Sequence, residues 1–169
     1  MSYLRRPPDR NPADRTAGAA GTCRRDLDTN LLTAVLLTTV LQGSLRRPGG
    51  RLIMISSAAA QRGGAGSHSA GSYAAAKAAL HGWAFGLARR LGPDGITVNV
   101  LAPGYVADTE IFGDRWGEEF HAQKVADTLV GRGGTPADVA TAVACMASPA
   151  AGYLTGQVIG LDGGAVLGR

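Results

Sequence analysis

Three histidines, two cysteines and an aromatic content of 5% exclude several kinds of function for this chain of 169 residues. Cys23 and Cys145 lie too far apart in sequence for a zinc site or a disulfide framework, and three scattered histidines make no metal centre. Cys145 is expected to be a small apolar core thiol. The net charge is only +4, the arginines are scattered and no aromatic residues interleave with them, so the basic excess reads as solvated surface and no nucleic-acid partner is expected. No run approaches the roughly 18 apolar residues of a membrane span, and Met1 to Gly21 offers no apolar stretch for a signal peptide. A soluble, cytoplasmic protein without a membrane partner is the expectation.

With 45% apolar and 18% charged residues, the chain has the composition of one compact domain with its own core. Residues 1–25, with Pro7, Pro8 and Pro12 and no periodicity, read as a disordered tail ahead of a domain spanning 26–169. Leu27, Leu31, Leu32, Val35, Leu36, Val40 and Leu41 recur at helical spacing, which predicts an amphipathic helix to about Gly43. Arg51 to Ile55, Gly95 to Leu101 and Gln157 to Leu161 are short, continuously apolar runs of the kind that form strands buried on both faces. Between them, Gln61 to Ser72 is a Gly and Ser loop, Tyr73 to Leu91 is helical and apolar almost all round, and Thr135-Pro136 starts a further helix. A helix with so little polar surface needs cover on two sides, so 73–91 is expected to pack on the sheet and on a second copy of the chain. Helices alternating with buried strands give the class α/β with a parallel sheet.

The chemistry concentrates at Tyr73 and Lys77. On a helix, positions four apart share a face, so a phenol and an ammonium act here on one small volume, and the ammonium should favour the phenolate. Ser56-Ser57 ends the preceding strand and adds a hydroxyl.

Five blocks in order resemble the C-terminal half to two thirds of the short-chain dehydrogenase/reductase family. They are Asp28-Thr29-Asn30-Leu31, Gly50 through Ser57, Tyr73 through Lys77, Thr97 through Gly104, and Tyr153 through Gln157 with Asp162-Gly163-Gly164. The resemblance implies a partial doubly wound, Rossmann-like sheet with three recognised strands. It also implies NAD- or NADP-dependent reduction of a small carbonyl or oxidation of an alcohol, in a homo-oligomer joined through the 73–91 helix. By resemblance Tyr73 is the acid/base, Lys77 holds the nicotinamide ribose and lowers the phenol's pKa, Ser57 orients the substrate oxygen and Asn30 holds a relay water. Pro103, Gly104 and Val106 would lie against the nicotinamide, with Thr109 in reach. For Asn30 the alternative is an ordinary polar residue of a helix start, and Ser56 is the rival of Ser57. Strand alternation and the family's use of the second serine favour Ser57. His68 and His81 are read as a solvated loop residue and a packing residue.

The family's opening strand, glycine-rich turn and helix, whose N-terminus receives the pyrophosphate, have no counterpart here. Ala17-Gly18-Ala19-Ala20-Gly21 follows no hydrophobic strand. The expectation is therefore a truncated domain in which the strand at Arg51 to Ile55 becomes a free edge. The alternative function is a non-catalytic fragment acting through association with a full-length relative.

Overall fold

A computed structural model describes residues 12–64, 71–111 and 117–167. Three parallel strands, β1 (Arg51–Ile55), β2 (Thr97–Pro103) and β3 (Val158–Leu161), form one sheet in the order β1-β2-β3. Arg51 pairs with Thr97 and Ile55 with Leu101, while Val100 pairs with Val158 and Pro103 with Leu161. The helices are α1 (Pro12–Leu27), α2 (Thr33–Leu41), α3 (Ala59–Arg62), α4 (Ser72–Leu91), α5 (Glu118–Ala126) and α6 (Pro136–Ala147). The α/β class and the three strands match the sequence reading.

The core lies between α4 and the sheet. Leu80, Ala84, Leu87 and Leu91, at spacings of three and four, bury one stripe of α4 against Met54, Ile96, Val98 and Val100. Two-sided burial is complete only in β2, from Thr97 to Ala102. In β1 only Met54 is fully buried, because no strand among the described residues lies outside it. Asn99 is 1% exposed and uses both ends of its amide: Nδ2 donates to the Leu154 carbonyl at 2.7 Å and Oδ1 accepts from the Gln157 N–H at 3.1 Å. A buried amide is tolerated because it is paired, and here it ties the approach to β3 onto β2.

Local chemistry sets the helix ends. Thr135 caps α6 as expected from the sequence, accepting from the Asp138 N–H while the Asp138 carboxylate accepts from the Thr135 N–H, with Pro136 at the first helical position. Arg132 pairs with both oxygens of Asp138 at 2.8 and 3.0 Å, which holds that carboxyl well below the usual carboxylate range. Gly71 precedes α4 at φ 81°, a conformation a glycine adopts without strain.

Four expectations are corrected. From Pro12 onward the segment read as a disordered tail is helix α1, whose alanines and arginines favour helix without an apolar stripe to announce it; residues 1–11 lie outside the described residues. The predicted single α-helix after it is interrupted by a π-helical turn, Asp28–Leu32, in which Thr33 N–H bonds the Asp28 carbonyl five residues back. Its apolar stripe is only partly inward: Leu31 and Ala34 reach the core, but Val40 is 76% exposed, and the buried residue of α2 is Thr38, which accepts from Trp83 Nε1 at 3.0 Å. Cys145 is exposed and not a core thiol. Gln61, expected in a loop, belongs to α3, while His68, Phe112 and Trp116 lie outside the described residues.

Candidate active site

The site forms where β1 and β2 end, beside the first turns of α4. Leaving β1, the chain stays against β2: Ser56 N–H donates to the Leu101 carbonyl at 2.7 Å and Ala58 N–H to the Pro103 carbonyl at 2.8 Å. Ser57 thereby stands at the strand tip. Its Oγ accepts from the Ala59 N–H at 3.1 Å, starting α3, and its side chain hydrogen-bonds to Tyr73. Lys77, one turn further along α4, holds its Nζ 5.8 Å from the centre of the Tyr73 ring and donates to the Ile55 carbonyl at 3.1 Å. Ser56 alternates to the other side, where its buried hydroxyl donates to the Lys77 carbonyl at 2.9 Å. Of the two serines, Ser57 is the one that faces the phenol.

Asn30 reaches the same region from the π-helical turn. It lines a cavity of about 470 Å³ together with Lys77 and Ile55, and its Nδ2 donates to the Asp26 carbonyl at 3.1 Å.

At the end of β2, Gly104 N–H donates to the Leu161 carbonyl at 3.0 Å. A Cβ on Gly104 would stand 2.7 Å from the Asp162 Cβ and 2.8 Å from its Cα, so only glycine allows the two strand ends to approach this closely. Val106 forms a lone parallel bridge with Gly134, and Thr109 Oγ1 donates to the Val106 carbonyl at 3.2 Å, which brings Thr109 back to the same turn.

The electrostatics differ from the expectation in one respect. Burial raises the Tyr73 pKa above its ordinary value, the Ser57 hydrogen bond opposes this, and the Asp26 carboxylate raises it further. Burial lowers that of Lys77. The ammonium is not among the causes that shift the phenol, and the site as folded favours its protonated form.

Three further features escaped the sequence reading. His81 shares a hydrogen bond of 2.9 Å with Ser56. Because that hydroxyl spends its single proton on the Lys77 carbonyl, it must accept from Nε2–H of His81. Asp26 bonds the Ser72 hydroxyl through its carboxylate, a contact across 46 positions that no local pattern signals. Tyr105 turns towards α5, where its hydroxyl meets His121 Nδ1 at 2.8 Å and its ring stacks edge-on against Phe120. Among the described residues there is no cluster of three or more His, Cys, Asp or Glu suited to a metal, and no helix is long and apolar enough to cross a membrane.

A family model described as enoyl-(acyl carrier protein) reductase matches residues 16–166. The chain belongs to the short-chain dehydrogenase/reductase family. Among reductases of this family it is 40% identical over 146 residues to the short-chain reductase protein NovJ of Streptomyces niveus, covering 82% of this chain and 53% of that protein. It is 36% identical over 141 residues to the 3-oxoacyl-[acyl-carrier-protein] reductase FabG of Vibrio cholerae, covering 82% and 55%. A Brucella melitensis crystal structure described as a short-chain dehydrogenase/reductase superposes with a TM-score of 0.77 at 26% identity, over 86% of this chain and 57% of that one. A blue fluorescent protein from a metagenomic library, solved in complex with NADPH, superposes with a TM-score of 0.72 at 37% identity, over 82% and 53%. The chain spans about half the length of the curated relatives it matches.

Proposed function

We propose that this chain carries the proton-transfer half of an NAD(P)(H)-dependent oxidoreductase that interconverts a small carbonyl compound and its alcohol. The observation that carries the reading is the meeting of Tyr73, Ser57 and Lys77 at the C-terminal ends of two parallel strands, the end at which open α/β sheets bind ligands. Ser57 holds the carbonyl oxygen beside the phenol. Tyr73 gives its Oη proton to that oxygen as negative charge develops there, and the resulting phenolate is balanced by the Lys77 ammonium. Asn30, with its amide N–H committed to Asp26, holds a water through its amide oxygen for return of the proton. When bound, a reduced nicotinamide cofactor supplies the hydride to the carbonyl carbon.

The residues present fit the nicotinamide end of such a cofactor. Lys77 has one of its three donors on the Ile55 carbonyl, which leaves others for ribose hydroxyls, and Pro103, Gly104, Val106 and Thr109 form a turn close by. They do not fit its pyrophosphate. Among the described residues no glycine-rich strand-turn-helix precedes β1. The family relationship and the relative solved with NADPH support the cofactor class, with the choice between NAD and NADP left to measurement.

The test is a titration with NADPH and NADH followed by energy transfer from tryptophan, together with reduction of a panel of ketones. Binding and turnover are expected, with Tyr73→Phe lowering kcat by about 10²- to 10⁴-fold while cofactor affinity holds. A second reading, a non-catalytic subunit that pairs with a longer relative, is favoured by the open outer edge of β1. A titration flat to millimolar cofactor, with binding restored on mixing with the relative, would establish it. In the first reading a second copy, and in the second the longer relative, meets the α4 face where Phe85 is 42% exposed.

A further inference from the structure

Asp26, in the last turn of α1, reaches the site from outside the Tyr-Lys motif. Its carboxylate accepts a hydrogen bond from the hydroxyl of Ser72, the first residue of α4 and the neighbour of Tyr73. Its carbonyl accepts Asn30 Nδ2 at 3.1 Å. A negative charge at the opening turn of a helix is favoured by the helix dipole, which gives the contact a physical reason to persist. We propose that Asp26 is a positioning residue that ties the α4 turn carrying Tyr73 to the π turn carrying Asn30 and sets its carboxylate charge beside the phenol. The proposal rests on the reading of Tyr73 as the acid.

Among the described residues the groups around the phenol are few. Lys77 faces it from α4 itself, Ser57 from the tip of β1 and Asp26 from α1. Arg62 of α3 is engaged by Asp127 at 3.5 Å, and Asp28 of the π turn is exposed. Asp26 is thus the anionic group set against Tyr73, and its field adds to burial in opposing ionisation. Asparagine at position 26 would keep an acceptor for Ser72 and remove the charge. Alanine at position 72 would remove the tether and keep the charge.

The experiment is a pH titration of the full chain labelled with ¹³Cζ-tyrosine, with Tyr73→Phe assigning the resonance among the four tyrosines. Asp26→Asn is expected to lower the Tyr73 midpoint by roughly half a unit or more. Ser72→Ala should lower it by less, and the double variant should match Asp26→Asn alone, because both changes act through one contact. An unmoved midpoint in Asp26→Asn, or two shifts that simply add, overturns the proposal. Should Asp26→Asn not fold, Ser72→Ala decides alone, an unmoved midpoint again being fatal. No turnover is read, so the result stands apart from whether the chain reduces a carbonyl.

Discussion

His81 is set aside by a sequence reading because a histidine on an apolar helix is usually a packing residue. Its contact with Ser56 gives it a measurable consequence. Burial lowers the pKa of its imidazole below the ordinary value of 6.5, so the folded state prefers the neutral ring and the unfolded chain binds a proton sooner. The associated stability is fully present above pH 6.5 and is lost as pH falls through the lowered value. Thermal unfolding followed by circular dichroism should therefore show Tm falling between pH 7 and pH 5, and His81→Gln, which can still donate to Ser56, should remove that step. The Tyr73 phenol titrates in the opposite sense. With its pKa raised above 10.0, reductive proton donation should hold through neutral and mildly alkaline pH, and oxidation of the alcohol, which needs the phenolate, should rise steadily with pH over the same range. A reductive rate falling well below pH 10 would contradict this assignment.

Among the elements, those that obey local rules were legible in the sequence. β1, β2 and β3 announce themselves as short apolar runs, and α6 through Thr135, Pro136 and Asp138, because pattern and capping are properties of neighbouring residues. That Tyr73, Lys77 and Ser57 lie close together was foreshadowed by motif and alternation. Asp26 with Ser72 and Ser56 with His81, at separations of 46 and 25 positions, exist only once α1, β1 and α4 pack together. The helix α1 was missed because it has no apolar period, the π turn because the apolar period through Leu31 and Leu32 does not tell it from an α-helix, and Cys145 was misplaced because α6 turns that flank to solvent. The junction of β2 and β3 carries a test of its own. Gly104→Ala would set a methyl group 2.7 to 2.8 Å from Asp162 atoms that include its backbone Cα, so the strand ends must move apart. A loss of about 1 to 3 kcal/mol in denaturant unfolding is expected, with the nicotinamide-side turn displaced as well.

For the whole molecule, β2 is enclosed between two neighbours while β1 and β3 are the edges of the sheet among the described residues. Gly50, Ser56 and Ala58 direct their backbone groups to β2, so by alternation Ile53 and Ile55 present theirs outward, and the Ile55 carbonyl is the one Lys77 takes. Hydrogen exchange should find the Ile53 and Ile55 amides fast and those of Leu52, Met54 and Val100 slow; equal protection across β1 would mean that another strand covers it. The exposed Leu37 and Leu41 line a cavity with Ile53 and Ile55 on this side, which makes concentration-dependent association a further expectation. The parallel pairing also has a history in time. Arg51 meets Thr97, and Val100 meets Val158, across roughly fifty residues each, so neither pair can form from a hairpin and loop closure must come before any ladder bond is gained. A ribosome adding about 5 to 20 residues per second leaves β1 waiting for seconds before its partner strand emerges. Through that interval the strand's apolar run has only the segments made before it, with Leu31, Ala34 and Leu45, and then α4 to cover it.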